Sequence, residues 1–307
     1  MVGEEAARAA ALSGLRRFDW FVAIDWSGSV GPRQKGIAIA VASADGGAPV
    51  LAEPDRAWSR EDVLTLLRED LPDNALVGVD LGISLPFADC GAFFPGWNDS
   101  PADARALWAL VDDVCRADPH LAATSFVEHP DLARYYRRQG GLEGDRFHAP
   151  DAAHRRGRFR VTETAQETLG CKPYSNFNLV GAAQVGKSSL TGMRVLHRLD
   201  GRVPVWPVDP LPATGSVIAE IYTAIPAIAA MRAAGRSKIR DRADLDAALS
   251  ALGSPCLGGT GPIDDHASDA LLTAAWLRER SADAALWSPA GLTAKIARTE
   301  GWTFGAP

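Results

Sequence analysis

The chain has 307 residues, 47% apolar and 23% charged, with a formal net charge of −6. Those values suit an ordinary globular protein with enough chain for one large core or two, and they exclude a surface that binds polyanions all over. Four scattered cysteines (Cys90, Cys115, Cys171, Cys256) form no CxxC pair, which excludes a zinc knuckle and a disulfide framework. No run approaches the roughly 18 consecutive apolar residues of a membrane span, and the first residues, with Glu4 and Glu5, do not read as a signal peptide. The expected location is cytoplasmic, with no membrane partner.

Residues 19–25 form an apolar run that ends on Asp25 and gives way to Ser27 and Gly28, the pattern of a buried strand. Residues 35–43 predict a second strand, and Gly46-Gly47 a turn into a short third at Val50 and Leu51. Ser59, with Glu61 and Asp62 behind it, caps a helix to about Asp70. Residues 75–80 repeat the first pattern and end on Asp80, and Pro86 closes the unit. From 87 to 213 helical stretches (103–116, 130–139, 162–169, 188–199) alternate with Gly-, Pro- and Asn-rich turns, the texture of a mainly helical insertion. Strand character returns at 216–222 around Glu220. A helix over 242–252, the turn Gly258-Gly259-Thr260-Gly261, a helix from Asp265 to about Arg280 and a glycine- and aromatic-rich tail follow.

An acid at the end of a buried strand is costly to ionise unless a cation compensates it. Here Asp25 and Asp80 end two such strands. Asp265 and Asp269 lie four residues apart on one helix face, and Leu272 and Trp276 continue the Asp269 stripe toward the core. The order of strands, helices and acids is that of a ribonuclease H-like α/β fold. Its mixed five-stranded sheet would come from a core of 18–86 and 214–307, with 87–213 inserted between strands four and five. The first and fourth strands are neighbours in that topology, so Asp25 and Asp80 would lie about 4.8 Å apart. Several acids aimed at one place predict a divalent-cation site, and oxygen donors without a His/Cys cluster favour Mg2+ or Mn2+. Each acid also has a structural reading. Asp25 and Asp80 would accept backbone hydrogen bonds at strand ends, Asp264 would be an N-cap, Asp265 would serve the helix dipole, and Glu220 would pair with a base such as Lys238 or Arg240.

The segments AIDWSG (23–28), GVDLGISLP (78–86), AEIYTAIP (219–226), DDHASDALLTAAW (264–276) and EGWTFG (300–305) resemble an uncharacterised bacterial and archaeal family of predicted nucleases with a ribonuclease H-like fold. The acid order is also similar to that of Holliday-junction resolvases. The resemblance implies a metal-dependent phosphodiester hydrolase of nucleic acid, with Asp25, Asp80, Glu220 and Asp269 as catalytic metal ligands and Asp265 as a fifth. Resolvases carry two acids three residues apart on this helix, whereas here His266 stands three before Asp269. The extra ligand is therefore Asp265 or His266.

Two such ions about 4 Å apart would activate water and stabilise a leaving oxygen. Lys238 would neutralise the transition state, or be a solvated surface lysine. Between 130 and 162 eight arginines (Arg134, Arg137, Arg138, Arg146, Arg155, Arg156, Arg158, Arg160) outnumber four acids (Asp131, Glu143, Asp145, Asp151). Tyr135, Tyr136, Phe147, His148 and Phe159 lie among them. That mixture suits phosphate contact and base stacking, with Arg155, Arg156, Arg158 and Arg160 as the expected substrate contacts; the alternative is a solvated loop over buried aromatics.

Two rival motifs are present. Residues 181–188 (GAAQVGKS) fit the P-loop pattern, but the preceding 174–180 is a poor core strand. Residues 80–84 (DLGIS) match the phosphate loop of actin-like ATP-dependent phosphotransferases, and Gly258–Gly261 is reminiscent of their adenosine loop. Those enzymes use two fold copies, whereas Asp25 and Asp80 lie within one. A non-catalytic binding protein with relic acids is the third reading.

Overall fold

In the computed structural model, which describes residues 16–52, 54–148, 156–180, 184–232 and 238–307, the sheet is built outward from the apolar run at 20–25. Strand β1 (Trp20–Asp25) pairs antiparallel with β2 (Ala38–Ser43), and β2 pairs antiparallel with β3 (Val50–Leu51). On the other side β4 (Ala75–Val79) runs parallel to β1. Strands β5 (Arg137–Arg138) and β6 (Leu142–Glu143) form a separate hairpin. Strands β7 (Val205–Trp206) and β8 (Val217–Glu220) complete a mixed sheet of order β3-β2-β1-β4-β8-β7, whose last three neighbours are parallel. The protein is α/β.

The sheet has six strands rather than the five expected. The extra one, β7, is two residues long and flanked by Pro204 and Pro207, too short for any alternation to register. The stretch 130–139 also differs from expectation. It holds a 3-10 turn (Leu132–Tyr135) and the first hairpin strand, because Tyr135 and Tyr136 are both buried and Gly140 and Gly141 turn with positive φ. The signal-peptide reading of the first residues falls outside the described residues. No described helix is long and apolar enough to cross a membrane.

Ten α-helices are described. Helix α1 (Arg60–Thr65) opens on a capping box between Ser59 and Asp62. Next come α2 (Ala104–Val114), α3 (Thr124–Glu128), α4 (Val161–Thr168) and α5 (Val185–Arg198). After β8 follow α6 (Ala224–Ala229), α7 (Arg242–Ala251), α8 (Asp265–Arg280), α9 (Ala284–Trp287) and α10 (Ala294–Thr299). Alternation along β1 divides them into two layers. Val22 and Ile24 share a core with Leu107 and Trp108 of α2 and Leu190 and Met193 of α5. Phe21 and Ala23 face Leu271, Ala274 and Ala275 of α8. The 87–213 segment therefore supplies most of one covering layer of the sheet, completed by Val63 of α1 and Leu67. Helix α8 is buried without a break from Ser268 to Leu277, as a helix central to a layer must be.

The register brings three acids to one edge. Asp25 ends β1, the amide of Asp80 donates to the Ile24 carbonyl at 2.9 Å just past β4, and Val79 pairs with Glu220 at the end of β8. The loop after β1 then passes under α5. A Cβ on Gly28 would lie 2.5 Å from the Ser188 nitrogen and 2.6 Å from the Lys187 carbonyl carbon, both backbone atoms. Gly28→Ala is expected to cost about 2 kcal/mol, or about 4–8 °C in Tm by calorimetry. An unchanged Tm would mean that this loop is not pinned to the helix.

Candidate metal centre at the strand ends

Helix α8 crosses β1 and β2 and aims Asp269, in its second turn, at the acids on the strand ends. Asp264 is the N-cap, accepting from the amides of His266 and Ala267. That fixes the first turn and lets His266 reach back: its Nδ1 lies 2.7 Å from Asp25 Oδ2. Lys238 Nζ lies 2.5 Å from Asp269 Oδ2. Asp80 has weaker support, a 3.4 Å hydrogen bond from the Thr223 hydroxyl. Asp80, Asp269 and Lys238 line a cavity of about 530 Å3 whose other walls include Trp26, Tyr174 and Tyr222.

Two of these acids, Asp80 and Asp269, are raised by burial and by neighbouring charges. Burial pushes the Asp80 carboxyl well above the usual carboxylate range, and the charges of Asp25 and Asp269 push it further, against Lys238 and Thr223. Burial lifts Asp269 to about 6, with Asp25 and Asp265 adding to it and the Lys238 ammonium opposing. The Lys238 ammonium is itself raised: burial works against it, but Asp269, Asp25 and Asp80 outweigh burial. The hydrogen bond to Asp25 raises His266 more than burial lowers it. Three carboxylates thus share one ammonium and one imidazole, and the corner is short of positive charge. Hard oxygen donors in excess of their cations fit Mg2+ or Mn2+. Among the described residues, however, no three His, Cys, Asp or Glu side chains are grouped closely enough to hold an ion as they stand.

The remaining expected ligands are taken up by other partners. Glu220 is 3% exposed and its two oxygens are fully engaged. Oε1 accepts from Arg160 Nη2 (2.6 Å) and Thr303 Oγ1 (2.5 Å), and Oε2 from Arg160 Nη1 (2.7 Å) and the Ile83 amide (2.8 Å). Its partner is Arg160, not Lys238 or Arg240. Asp265 turns outward to Arg240, at 3.2 Å. Although burial acts upward, that hydrogen bond and the nearby cations hold its carboxyl below the usual range.

The expected substrate arginines are corrected by the same geometry. Arg160 is 1% exposed, clamped by Glu163 (2.6 and 2.9 Å) and Glu220. Arg158 is fully buried, bidentate to Asp89 (2.7 and 2.8 Å) and bonded to the carbonyls of Pro86, Ala92 and Phe93. Arg156 is exposed but tied to Glu167 and the Pro173 carbonyl. Arg155 lies outside the described residues. Tyr135, Tyr136, Phe147 and Phe159 are buried, and His148 pairs with Glu143, so the stretch is mostly core and its anchors. Sequence reading also missed Glu163 and Glu300, which complete this buried ionic cluster. The i,i+3 spacing of Arg160 and Glu163 was the available signal.

The rival motifs lack their required settings. Residues 181–183 lie outside the described residues, but the amide of Gly186 donates to Asn178 and those of Lys187 and Ser188 to Gln184, so they form no phosphate cradle. Ser84 is buried, with its hydroxyl on the Thr299 carbonyl. Compared with family models, with curated proteins and with solved structures, the chain matches none.

A raised acid destabilises the folded state above its folded pKa and ceases to do so once protonated. Asp80→Asn removes that penalty. In EDTA at pH 8 the variant is expected to melt about 2–4 °C above the parent, and the gap should close as the pH falls through the raised Asp80 pKa. A variant that melts lower at every pH would make Asp80 a structural acceptor.

Proposed function

We propose that the protein is a divalent-metal-dependent phosphodiester hydrolase of nucleic acid, built on a ribonuclease H-like core. The observation that carries this is the placement of Asp25, Asp80 and Asp269 on two adjacent parallel strand ends and the helix across them, with Asp80 and Asp269 lining a cavity that has too little positive charge. The strand sequence β3-β2-β1-β4-β8, with its antiparallel and parallel pairings, supports the fold reading, β7 being an addition at the edge. Asp25, Asp80 and Asp269 would hold Mg2+ or Mn2+. Glu220 leaves the ligand set because Arg160, Thr303 and Ile83 already engage it, and Asp265 because it faces Arg240.

A divalent ion bound there supplies charge stabilisation at a phosphate oxygen and lowers the pKa of water. The protein's own groups do the rest. His266 orients Asp25 through its Nδ1 contact. Lys238 lines the same cavity and offers an ammonium to the negative charge of the transferring phosphate. Trp26, Tyr174 and Tyr222 give the walls flat faces for a base or sugar. Arg160 positions: by holding Glu220 it fixes the end of β8 beside Asp80.

The test is cleavage of labelled single-stranded DNA and RNA with Mg2+ or Mn2+, read beside the melting temperature. The parent is expected to cleave only with metal and to gain stability from it, because a ligand bound only to the native state stabilises it. Asp25→Asn should lose both the metal-dependent Tm gain and about 100-fold or more of the cleavage rate. A parent with a flat metal response and no cleavage would overturn the reading in favour of a binding protein.

A further inference from the structure

A second cavity, about 690 Å3, adjoins the first, and Gly28, Ser29 and Gln184 line both. Its charge is of the opposite sign. Arg60, Arg138 and Lys187 line it against the single acid Glu128, whereas the first cavity sets Asp80, Glu163, Glu220 and Asp269 against Arg160 and Lys238.

Arg60 is the most informative of these residues. It is 1% exposed, and its guanidinium donates only to backbone carbonyls: Ser27 (3.0 and 3.3 Å), Ser29 (2.6 Å) and His120 (3.0 Å). The buried cations Arg158, Arg160 and Arg194 each hold a carboxylate, but no described carboxylate hydrogen-bonds Arg60. Burial pulls it down to about 10; Glu61 acts upward and Arg194 downward. A buried guanidinium with no acid in contact is unfavourable unless an anion comes to it. Lys187 and Arg138 make no ion pair among the described residues either, so the cavity wall carries three cations against one carboxylate. Lys187 reaches it from the first turn of α5 and Arg138 from the β5–β6 hairpin, so two separate elements bring charge to one hollow.

We propose that this second cavity is a phosphate subsite that takes the phosphodiester next to the one at the acids, the substrate being a single strand laid across the Gly28–Ser29 wall. This rests on the hydrolase reading for the identity of the strand, but its chemistry is separate: anion binding by fixed cations, with no metal. It also gives Lys187 a role different from that of a P-loop lysine, since side chains rather than backbone amides meet the phosphate.

The test is fluorescence anisotropy of a labelled oligothymidylate with the full chain in EDTA, where no cleavage is read. The parent is expected to bind, and inorganic phosphate to compete. The double substitution Arg138→Ala with Lys187→Ala should weaken binding about tenfold or more and lower the salt slope by about 1.4, two single-strand phosphate contacts at about 0.7 each. Glu128→Gln should tighten it. No binding by the parent, or a double variant with unchanged affinity and salt slope, overturns the subsite. Adenosine monophosphate competing as well as unlabelled oligothymidylate would overturn the strand in favour of a mononucleotide. Because metal and cleavage are absent, a parent that cleaves while the double variant binds normally sinks the subsite alone. A parent that never cleaves but loses binding in the variant sinks the hydrolase alone.

Discussion

The guanidinium of Arg160 is the tie on which the site side of the molecule depends. It comes from the segment that covers one face of the sheet, it grips Glu220 at the end of β8, and its Nη1 also donates to the Glu300 carbonyl at 3.0 Å. The carboxylate of Glu300 in turn accepts from the amides of Phe87, Ala88 and Val161. Covering layer, sheet and C-terminal tail are thereby joined at one buried point, and the amide of Phe304 extends the joint by donating to the Glu220 carbonyl. A cluster of this kind is not a large source of net stability, since desolvation offsets most of its Coulombic gain. Removing one member, however, leaves a bare buried charge and costs about 3–5 kcal/mol. Its effect here is geometric: it commits the Arg160 guanidinium to Glu220 and Glu163 and leaves it no donor for the neighbouring acids.

The acids at this edge therefore fall into two kinds. Glu220 and Glu300 are buried and engaged by donors, so their role is structural. Asp25, Asp80 and Asp269 have only an imidazole, an ammonium and a weak hydroxyl among them. The difference lies in who their partners are, not in burial, because Glu220, Asp25 and Asp269 are all nearly inaccessible. An accounting of donors, rather than of exposure, separates the acids that hold the fold from those that have binding capacity to spare.

That distinction also marks where sequence reading stopped. Strands β1, β2, β4 and β8 and helix α8 were legible because long apolar runs ended in an acid or a cap, and the adjacency of Asp25 and Asp80 followed from their order. The partner of Glu220 was not legible, because it lies 60 residues away in a segment of another texture. The basic stretch at 130–162 misled for a related reason. A count of arginines does not distinguish a guanidinium held by carboxylates and carbonyls, such as Arg158, from one facing solvent, and the interleaved aromatics that suggested stacking are mostly buried. Arg60, with no basic neighbours in sequence, drew no attention, although it is buried on the wall of the second cavity without a carboxylate partner among the described residues.

The two cavities acquire a common logic from this arrangement. An anion moving toward Asp80 and Asp269 meets net negative charge and is repelled unless a cation accompanies it. Across the Gly28–Ser29 wall the sign reverses, and an anion is attracted there without any cofactor. A molecule carrying two phosphates can therefore be held by one while the other is kept over the acids, where Lys238 and a hard cation would neutralise it. On the reading proposed above, charge would set the order of events: the cationic cavity would capture and the acidic corner would take the metal. A ligand with one phosphate would gain nothing from this pairing, so the proposed arrangement would discriminate by the length of the phosphate chain before any base is read.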